Sequence, residues 1–542
     1  MADVMAVKPT RRSGLLIPLF SCVSSRSWGI GDIGDLPTVT RWLNSAGQSV
    51  LQLLPLNEMA PGQQSPYSAI TAMAIDPIYI DLAAVPDFQA IGGEASLSDD
   101  ERAELARVRS AARIEYATVR RLKQKASRAA FARFFDVEWQ RDTERADALR
   151  AYIAEQAWWL DDYALFRALH AAFEERTWFE WPDPLRDREP HALAQARRDL
   201  ADRILRTQYR QWLADGQWRA ARAAAAADGV SLFGDLPFMV DGDSADVWAH
   251  RQWFMLDASV GVPPDAFSAT GQDWGMPVYR WDVLAGDQFR WLRDRARRSA
   301  QLFDGYRVDH LVGFYRTYGR PRNGGEPFFT PGDEGAQRAL GETVLEIFRE
   351  PGSDIIAEDL GTVPDFVRAS LARLGVPGFR VARWEREWHA EGQPFRDPLD
   401  YPSCSVANSG THDTEPMATW WQQADAIERA AVSHIPSLAR LAADAGVKLL
   451  QVPYNPAVRD LLLTSLFHAG SDLLLMPVQD VFGWTDRINQ PATVHDGNWS
   501  YRLPWPVDRL NEIPEACERQ AALRDWAVQA GRNAESVASR QK

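Results

Sequence analysis

The sequence predicts an α/β protein: a (β/α)8 TIM barrel with inserted, mainly helical subdomains in the loops after strands 2 and 3. Three observations lead there. Eight short apolar runs bounded by Gly, Pro or Asp recur along the chain. Several are almost continuously hydrophobic, the pattern of parallel strands covered on both faces. Helical patterns fill most of the gaps, and eight alternations of strand and helix favour a closed barrel over an open sheet.

The first run is GLLIPLF (14–20), followed by the helical LPTVTRWLNSAG, which ends on glycine. SVLQLLPL (49–56) is the second, and the gap behind it is far too long for one helix. That gap opens on a turn-rich stretch with APGQQSPY at 60–67. It continues from about 99 to 225 as an Ala-, Arg-, Glu- and Leu-rich region. Helical periodicity runs from Asp99 through Val137 and again around 145–175. Residues 57–229 are therefore expected to form an inserted helical subdomain. VSLFGDLPF (230–238) supplies the third strand. The aromatic-rich, glycine-punctuated stretch 239–290 behind it is expected to shape a cleft. FDGYRVDH (303–310), DIIAEDL (354–360), GFRVARWE (378–385), SVANSGTHD (405–413) and DLLLMPVQDV (472–481) complete the set. The glycine-ended VPDFVRASLARLG leading into GFRV is βαβ punctuation. After about Arg509 the pattern is a terminal helix and a polar tail. Residues 1–542 thus read as one barrel with two insertions and no internal repeat.

Composition narrows the function. At 542 residues, with 46% hydrophobic and 25% charged side chains, the chain is an ordinary globular one. Its formal charge of −14 argues against nucleic acid or an anionic membrane as partner and suits a neutral ligand. No run approaches the ~18 uninterrupted apolar residues of a membrane span, and the N-terminus shows no apolar signal core. Cys22, Cys404 and Cys517 form no CxxC pair, which predicts neither disulfide framework nor zinc site and fits a reducing compartment. The expected location is cytoplasmic. Trp248, Trp253, Trp274, Trp281, Trp484 and Trp499 stand in polar company, either as flat faces for sugars or as partly buried core.

Three of the strand-like runs end in acid. In FDGYRVDH, Arg307 and Asp309 lie two residues apart and so share one strand face. They are either an ion pair closing the strand or an ionised carboxylate poised as a nucleophile. The next run ends in Glu358-Asp359 and the seventh in His412-Asp413. Barrel strand tips converge on one face, where barrel enzymes keep their chemistry. Glu358 follows Ile355, Ile356 and Ala357, an apolar approach that would raise its pKa and fit it as a general acid. Two carboxylates about 5–5.5 Å apart would form a retaining glycosidase pair. Asp359 is expected to cap the following helix. Asp241, Asp243 and Asp246 lack the EF-hand pattern and read as a capped helix start at DSADVW, so no metal is expected.

GYRVDH, IIAEDLG (355–361) and SGTHDT (409–414) resemble the signature regions of the amylomaltases. These are the 4-α-glucanotransferases, or disproportionating enzymes, of glycoside hydrolase family 77 in the α-amylase superfamily. SPY (65–67), GDLPFMVDGDSADVWAH (234–250) and GVPPDAFSATGQDWGMPVY (261–279) extend the resemblance from about residue 14 to 502. It implies transfer of α-1,4-glucan segments between malto-oligosaccharides, without a cofactor, by double displacement through a covalent glucosyl-enzyme. By motif position Asp309 is the implied nucleophile, Glu358 the acid and then base, and Asp413 the stabiliser of the distorted sugar. Arg307, His412, Tyr67 and Asp235 match residues around the reacting sugar. Asp265, Gln272 and Trp274 match a cleft-covering segment, and Asn498 with Trp499 matches the NW after the eighth strand. PAT (491–493), Glu415-Pro416 and the bulky RWEREWHAEGQPF (383–395) depart from the family pattern in loops. Two other functions use the same barrel: an α-1,4-glucan hydrolase with water as acceptor, and a non-catalytic glucan-binding barrel. Retention of all three acids argues against the second.

Overall fold

The computed structural model describes residues 11–264, 270–491 and 493–533. Eight parallel strands close into a barrel: β1 (Arg12–Leu16), β2 (Val50–Gln52), β3 (Ser231–Leu236), β4 (Gly305–Val308), β5 (Asp354–Ala357), β6 (Gly378–Val381), β7 (Ser405–Asn408) and β8 (Leu473–Pro477). Each pairs with its neighbours in sequence, and β1 closes on β8 with Arg12 opposite Leu473. Seven lie within the apolar runs of the sequence, and β1 starts two residues ahead of its run, at Arg12.

Because side chains alternate across a strand, one set of positions on each strand points into the barrel. At the N-terminal end that set is apolar: Val50, Phe233, Ile356, Phe379, Val406 and Leu473 pack together. One step towards the C-terminal end four of the six give way to polar residues, Gln52, Asp235, Glu358 and Asn408, while Val381 and Leu475 stay apolar. Gly305 leaves room for the plug, since a Cβ there would meet the Phe233 ring at 2.7 Å. The barrel is thus a dry stem carrying a charged floor.

Between β2 and β3 the chain builds long helices at Asp99–Ser110, Tyr116–Val137, Glu144–Ala172 and Ala201–Ala227. Ser98 and Glu101 form a reciprocal capping box at the first of these. The last two pack on one another. The excursion after β3 takes a different course from the helical one expected. Strands Phe254–Val262 and Gln272–Tyr279 pair antiparallel and join Thr317–Pro321 and Phe328–Thr330 in a four-stranded sheet. Ser244 caps the short helix Ala245–Ala249, as DSADVW suggested. Trp248, Trp253 and Trp281 are buried core residues, not exposed sugar platforms. A terminal helix spans Pro514–Gln529. Among the described residues no helix is long and apolar enough to cross a membrane.

Candidate active site

The floor is organised around Arg307, which is buried on β4. Strand register places Arg307 opposite Asp235 on β3 and Val308 opposite Ala357 on β5. Asp309 and Glu358 therefore leave adjacent parallel strands side by side, where the strand spacing is about 4.8 Å. Arg307 Nη1 donates to Asp235 Oδ2 at 2.6 Å. Its Nη2 lies 2.8 Å from Asp309 Oδ1 and 4.0 Å from Glu358 Oε2. Those two acid oxygens can be no further apart than these distances laid end to end. A retaining pair of about 5–5.5 Å fits within that bound, whereas most of the roughly 6.5–9.5 Å inverting range does not.

One guanidinium faces three carboxyls, and burial raises two of them. Burial, helped by the negative charge of Asp309, pushes Glu358 up to about 7 against the opposing pull of Arg307. Burial likewise raises Asp235, although Arg307 works the other way. Backbone N–H groups aim the Glu358 carboxyl: His310 donates to Oε2 at 2.8 Å and Leu360 to Oε1 at 3.0 Å. The His310 donor is brought round by a left-handed backbone, φ 42°, a strained conformation for a non-glycine residue. Asp309, by contrast, keeps a quarter of its side chain open to solvent and so to a substrate.

Asp413 joins this floor through a polar chain. Tyr67 donates from its hydroxyl to Asp235 Oδ2 at 2.9 Å and lies 3.1 Å from His412 Nε2. His412 Nε2 in turn is 3.3 Å from Asp413 Oδ2. Burial opposes ionisation of Asp413, but the His412 imidazole, the Asn489 amide and Arg307 outweigh it and hold the carboxyl well below the usual range. The Tyr67 and His412 rings stack at 5.4 Å, and Trp499, itself left-handed at φ 59°, leans on both.

The remaining expected residues lie further out. Trp274 sets its ring edge against His310, with centroids 4.8 Å apart, and donates to Gln272 Oε1 at 3.0 Å. Both belong to the antiparallel hairpin. Asp265 lies outside the described residues. Asn498 commits its amide to its own loop, accepting from Gln490 N–H and donating to the Gln490 and Thr493 carbonyls. Asp359 is not a helix cap, because Pro364 begins the helix Asp365–Leu374. Its buried carboxylate accepts from Phe379 N–H at 2.7 Å and pairs with Arg380 and Arg368, fastening β5 to β6.

Two residues escaped the sequence reading. Asn489 donates to Asp413 Oδ1 at 2.6 Å, and Arg487 donates to the Asp413 carbonyl at 2.6 Å. They lie more than seventy positions further along the chain, so no local pattern joins them to Asp413. Arg383 and Arg487 both reach the unusual Glu415, at 2.7 and 3.7 Å, tying the loops after β6, β7 and β8 together.

A (β/α)8 barrel whose strand tips gather a close pair of carboxyls and a third acid around an arginine defines a carbohydrate-active barrel enzyme. The family model for 4-alpha-glucanotransferase matches residues 17–508, and the chain belongs to that family. The 4-alpha-glucanotransferase of Thermus thermophilus is 35% identical over 519 residues, covering 91% of this chain and 96% of the relative. That of Chlamydia pneumoniae is 31% identical over 517 residues, covering 92% of each. Among solved structures, the amylomaltase from Streptococcus agalactiae in complex with acarbose superimposes with a TM-score of 0.79 at 26% identity. The match covers 96% of this chain and all of that one. The chain is a glycosyltransferase acting on α-glucans.

Proposed function

We propose that the chain moves α-1,4-glucan segments between malto-oligosaccharides by double displacement, with Asp309, Glu358 and Asp413 in the three acid roles. In the first step Asp309 attacks the anomeric carbon and the glycosidic C–O bond breaks. Glu358 gives its proton to the departing oxygen, leaving a glucosyl ester on Asp309. In the second step the 4-hydroxyl of an acceptor sugar attacks that carbon, the ester bond breaks, and Glu358 takes the hydroxyl proton. Asp413, held anionic by His412 and Asn489, faces the positive charge that develops on the sugar. Arg307 carries this reading: it touches Asp309 while Glu358, beside it, is pushed up to about 7. One acid is thus set to attack and the other to deliver a proton.

The helical excursion over 57–229 and the hairpin region over 239–290 serve as subdomains that wall the cleft on the strand-end face. Gln272 and Trp274 extend over the floor from the hairpin, with Asp265 assigned to the same segment. Asn498 acts by shaping the loop that presents Trp499. Three free cysteines, Cys22, Cys404 and Cys517, support a cytoplasmic location.

Maltotriose separates transfer from hydrolysis. A transferase yields glucose together with chains longer than maltotriose, and a ladder holding only shorter products would overturn the reading. Asp309→Asn lowers transfer by roughly a thousandfold or more while leaving maltotriose affinity largely intact. Undiminished turnover in that variant would remove Asp309 from the nucleophile's role.

A further inference from the structure

The helical excursion carries a basic seam that the reaction floor does not use. On helix Ala201–Ala227, Arg203, Arg206 and Arg210 stand three and four residues apart and so share one face. That face meets helix Tyr116–Val137, where Arg210 Nε donates to Ser127 Oγ at 3.2 Å and Arg128 follows directly. Among the described residues no carboxylate lies within 4.0 Å of Arg128, Arg203, Arg206 or Arg210. Every other Lys and Arg of helix Tyr116–Val137 reaches an acid, as Arg120 does Asp76 at 2.8 Å and Arg133 does Asp87 at 2.6 Å. The chain has acids to spare, with a formal charge of −14, yet this seam holds none against its guanidiniums.

Two of the four are more than solvated surface charges. Burial pulls Arg210 down to about 10, and the charge of Arg206 adds to it while Glu58 pulls the other way. Glu58 is already committed to Arg167 at 3.2 Å and to the Tyr163 hydroxyl. Burial lowers Arg206 too, with Arg128 and Arg203 adding to it against Asp202. A guanidinium keeps its proton in a protein, so the repulsion stays until an anion offsets it. Arg206 and Arg210 are half-buried, and no guanidinium nitrogen of either is shut off from solvent without a partner. Their free N–H groups can therefore still reach a ligand. Phosphate fits this chemistry, since its oxygens accept paired N–H bonds from a guanidinium fork and carry close to two negative charges at neutral pH. An acidic macromolecule fits less well, because the rest of the chain repels it.

We propose that the seam between helices Tyr116–Val137 and Ala201–Ala227 is an anion site for the phosphate group of a small molecule, held by Arg206 and Arg210 with Arg128 and Arg203 at its exposed edge. Free phosphate and a phosphorylated sugar present the same group to it. A bound phosphate offsets the repulsion between Arg206 and Arg210 and stabilises the folded chain by binding it alone. The site lies in the excursion and not on the floor, so it stands apart from the glucan-transfer reading.

The test titrates inorganic phosphate and glucose 6-phosphate into the full-length protein by calorimetry, in phosphate-free buffer at fixed ionic strength, and reads the melting temperature of the same samples. One saturable site per chain and a raised melting temperature are expected. Arg206→Gln and Arg210→Gln should each weaken the affinity roughly tenfold or more and remove the melting shift. Arg219 supplies the control. It lies about two and a half turns beyond Arg210, exposed on the opposite side of the same helix, with no carboxylate partner among the described residues. Arg219→Gln should bind as the wild type does. Arg206 makes no side-chain hydrogen bond or ion pair among the described residues, so Arg206→Gln keeps the test valid should Arg210→Gln fold poorly. Tighter binding of inorganic phosphate supports the site with free phosphate as occupant, and tighter binding of glucose 6-phosphate supports it with a phosphorylated sugar. No saturable binding of either probe, binding that the seam variants leave unchanged, or an equal loss in Arg219→Gln would each overturn the site. Uptake of duplex DNA by a chain that binds neither small phosphate would overturn it as well.

Discussion

Glu358 shows how one side chain acquires its chemistry from its position. Burial raises its carboxyl to about 7, and the His310 and Leu360 N–H groups fix its direction. In its proposed role as the acid of the first step it must carry a proton. Glycosyl transfer measured as kcat/KM should therefore fall above pH 7, about tenfold per pH unit. Glu358→Gln should abolish that limb along with most of the rate. The same group links pH to stability. Its folded value of about 7 lies above the ordinary value of about 4.3, so the folded chain holds a proton that the unfolded chain has released. Stability from this group is present below pH 4.3, falls as pH rises and is lost above pH 7. Glu358→Gln, neutral throughout, should melt higher than the wild type at pH 8 and at much the same temperature at pH 4. Equal melting differences at the two pH values would refute the raised value.

At the scale of elements, β5 and β6 are held by a residue whose task the sequence concealed. Asp359 is buried, accepts from Phe379 N–H and pairs with Arg380 and Arg368. Asp359→Ala leaves a buried donor and a half-buried guanidinium without their partner, and should cost about 2–4 kcal/mol in urea unfolding. A loss below about 1 kcal/mol would mean the fastening is not made. Why the sequence pointed to a cap is clear: Asp359 precedes Pro364 by a few residues, and a cap and a strand-to-strand anchor share the residue type. The eight strands themselves were legible because parallel strands buried on both faces read as apolar runs. The acids at 309, 358 and 413 were legible because three of the apolar runs end in charge on the same barrel face, although Asp359 shows that such a position can also be structural. The hairpin was not. Its strand Phe254–Val262 pairs with Gln272–Tyr279 through register shifts near Ser259, which break the two-residue alternation that would announce it. Asn489 was invisible for another reason: its partner is distant in sequence and its amide carries no charge pattern.

Taken as a whole, the molecule is a barrel that carries the acids at its strand tips and a set of excursions after its strands. The stem below the floor is filled by Phe233, Ile356 and their neighbours. Substrate and water can therefore approach Asp309 only from the strand-end side, where the hairpin sheet stands. Trp274 is one point at which that sheet meets the floor, its ring perpendicular to His310 and its indole N–H on Gln272. His310 is also one of the two residues whose N–H holds Glu358, so the hairpin and that carboxyl share one contact. In the proposed mechanism, where Asp309 carries a glucosyl group, the outcome depends on whether a sugar hydroxyl or a water reaches the anomeric carbon first. The half-buried Trp274 indole on His310 could offer an acceptor sugar a flat apolar face and displace water. Trp274→Ala should therefore shift the balance from transfer to hydrolysis rather than stop the first step. With maltotriose, glucose and maltose should rise relative to chains longer than maltotriose, by roughly three- to tenfold if the ring contributes about 0.5–1.5 kcal/mol to acceptor binding. Total bond cleavage should change less than the product ratio. A variant that loses cleavage while its product ratio stays fixed would place Trp274 with the donor sugar, and the sheet would then serve the first step instead of the second.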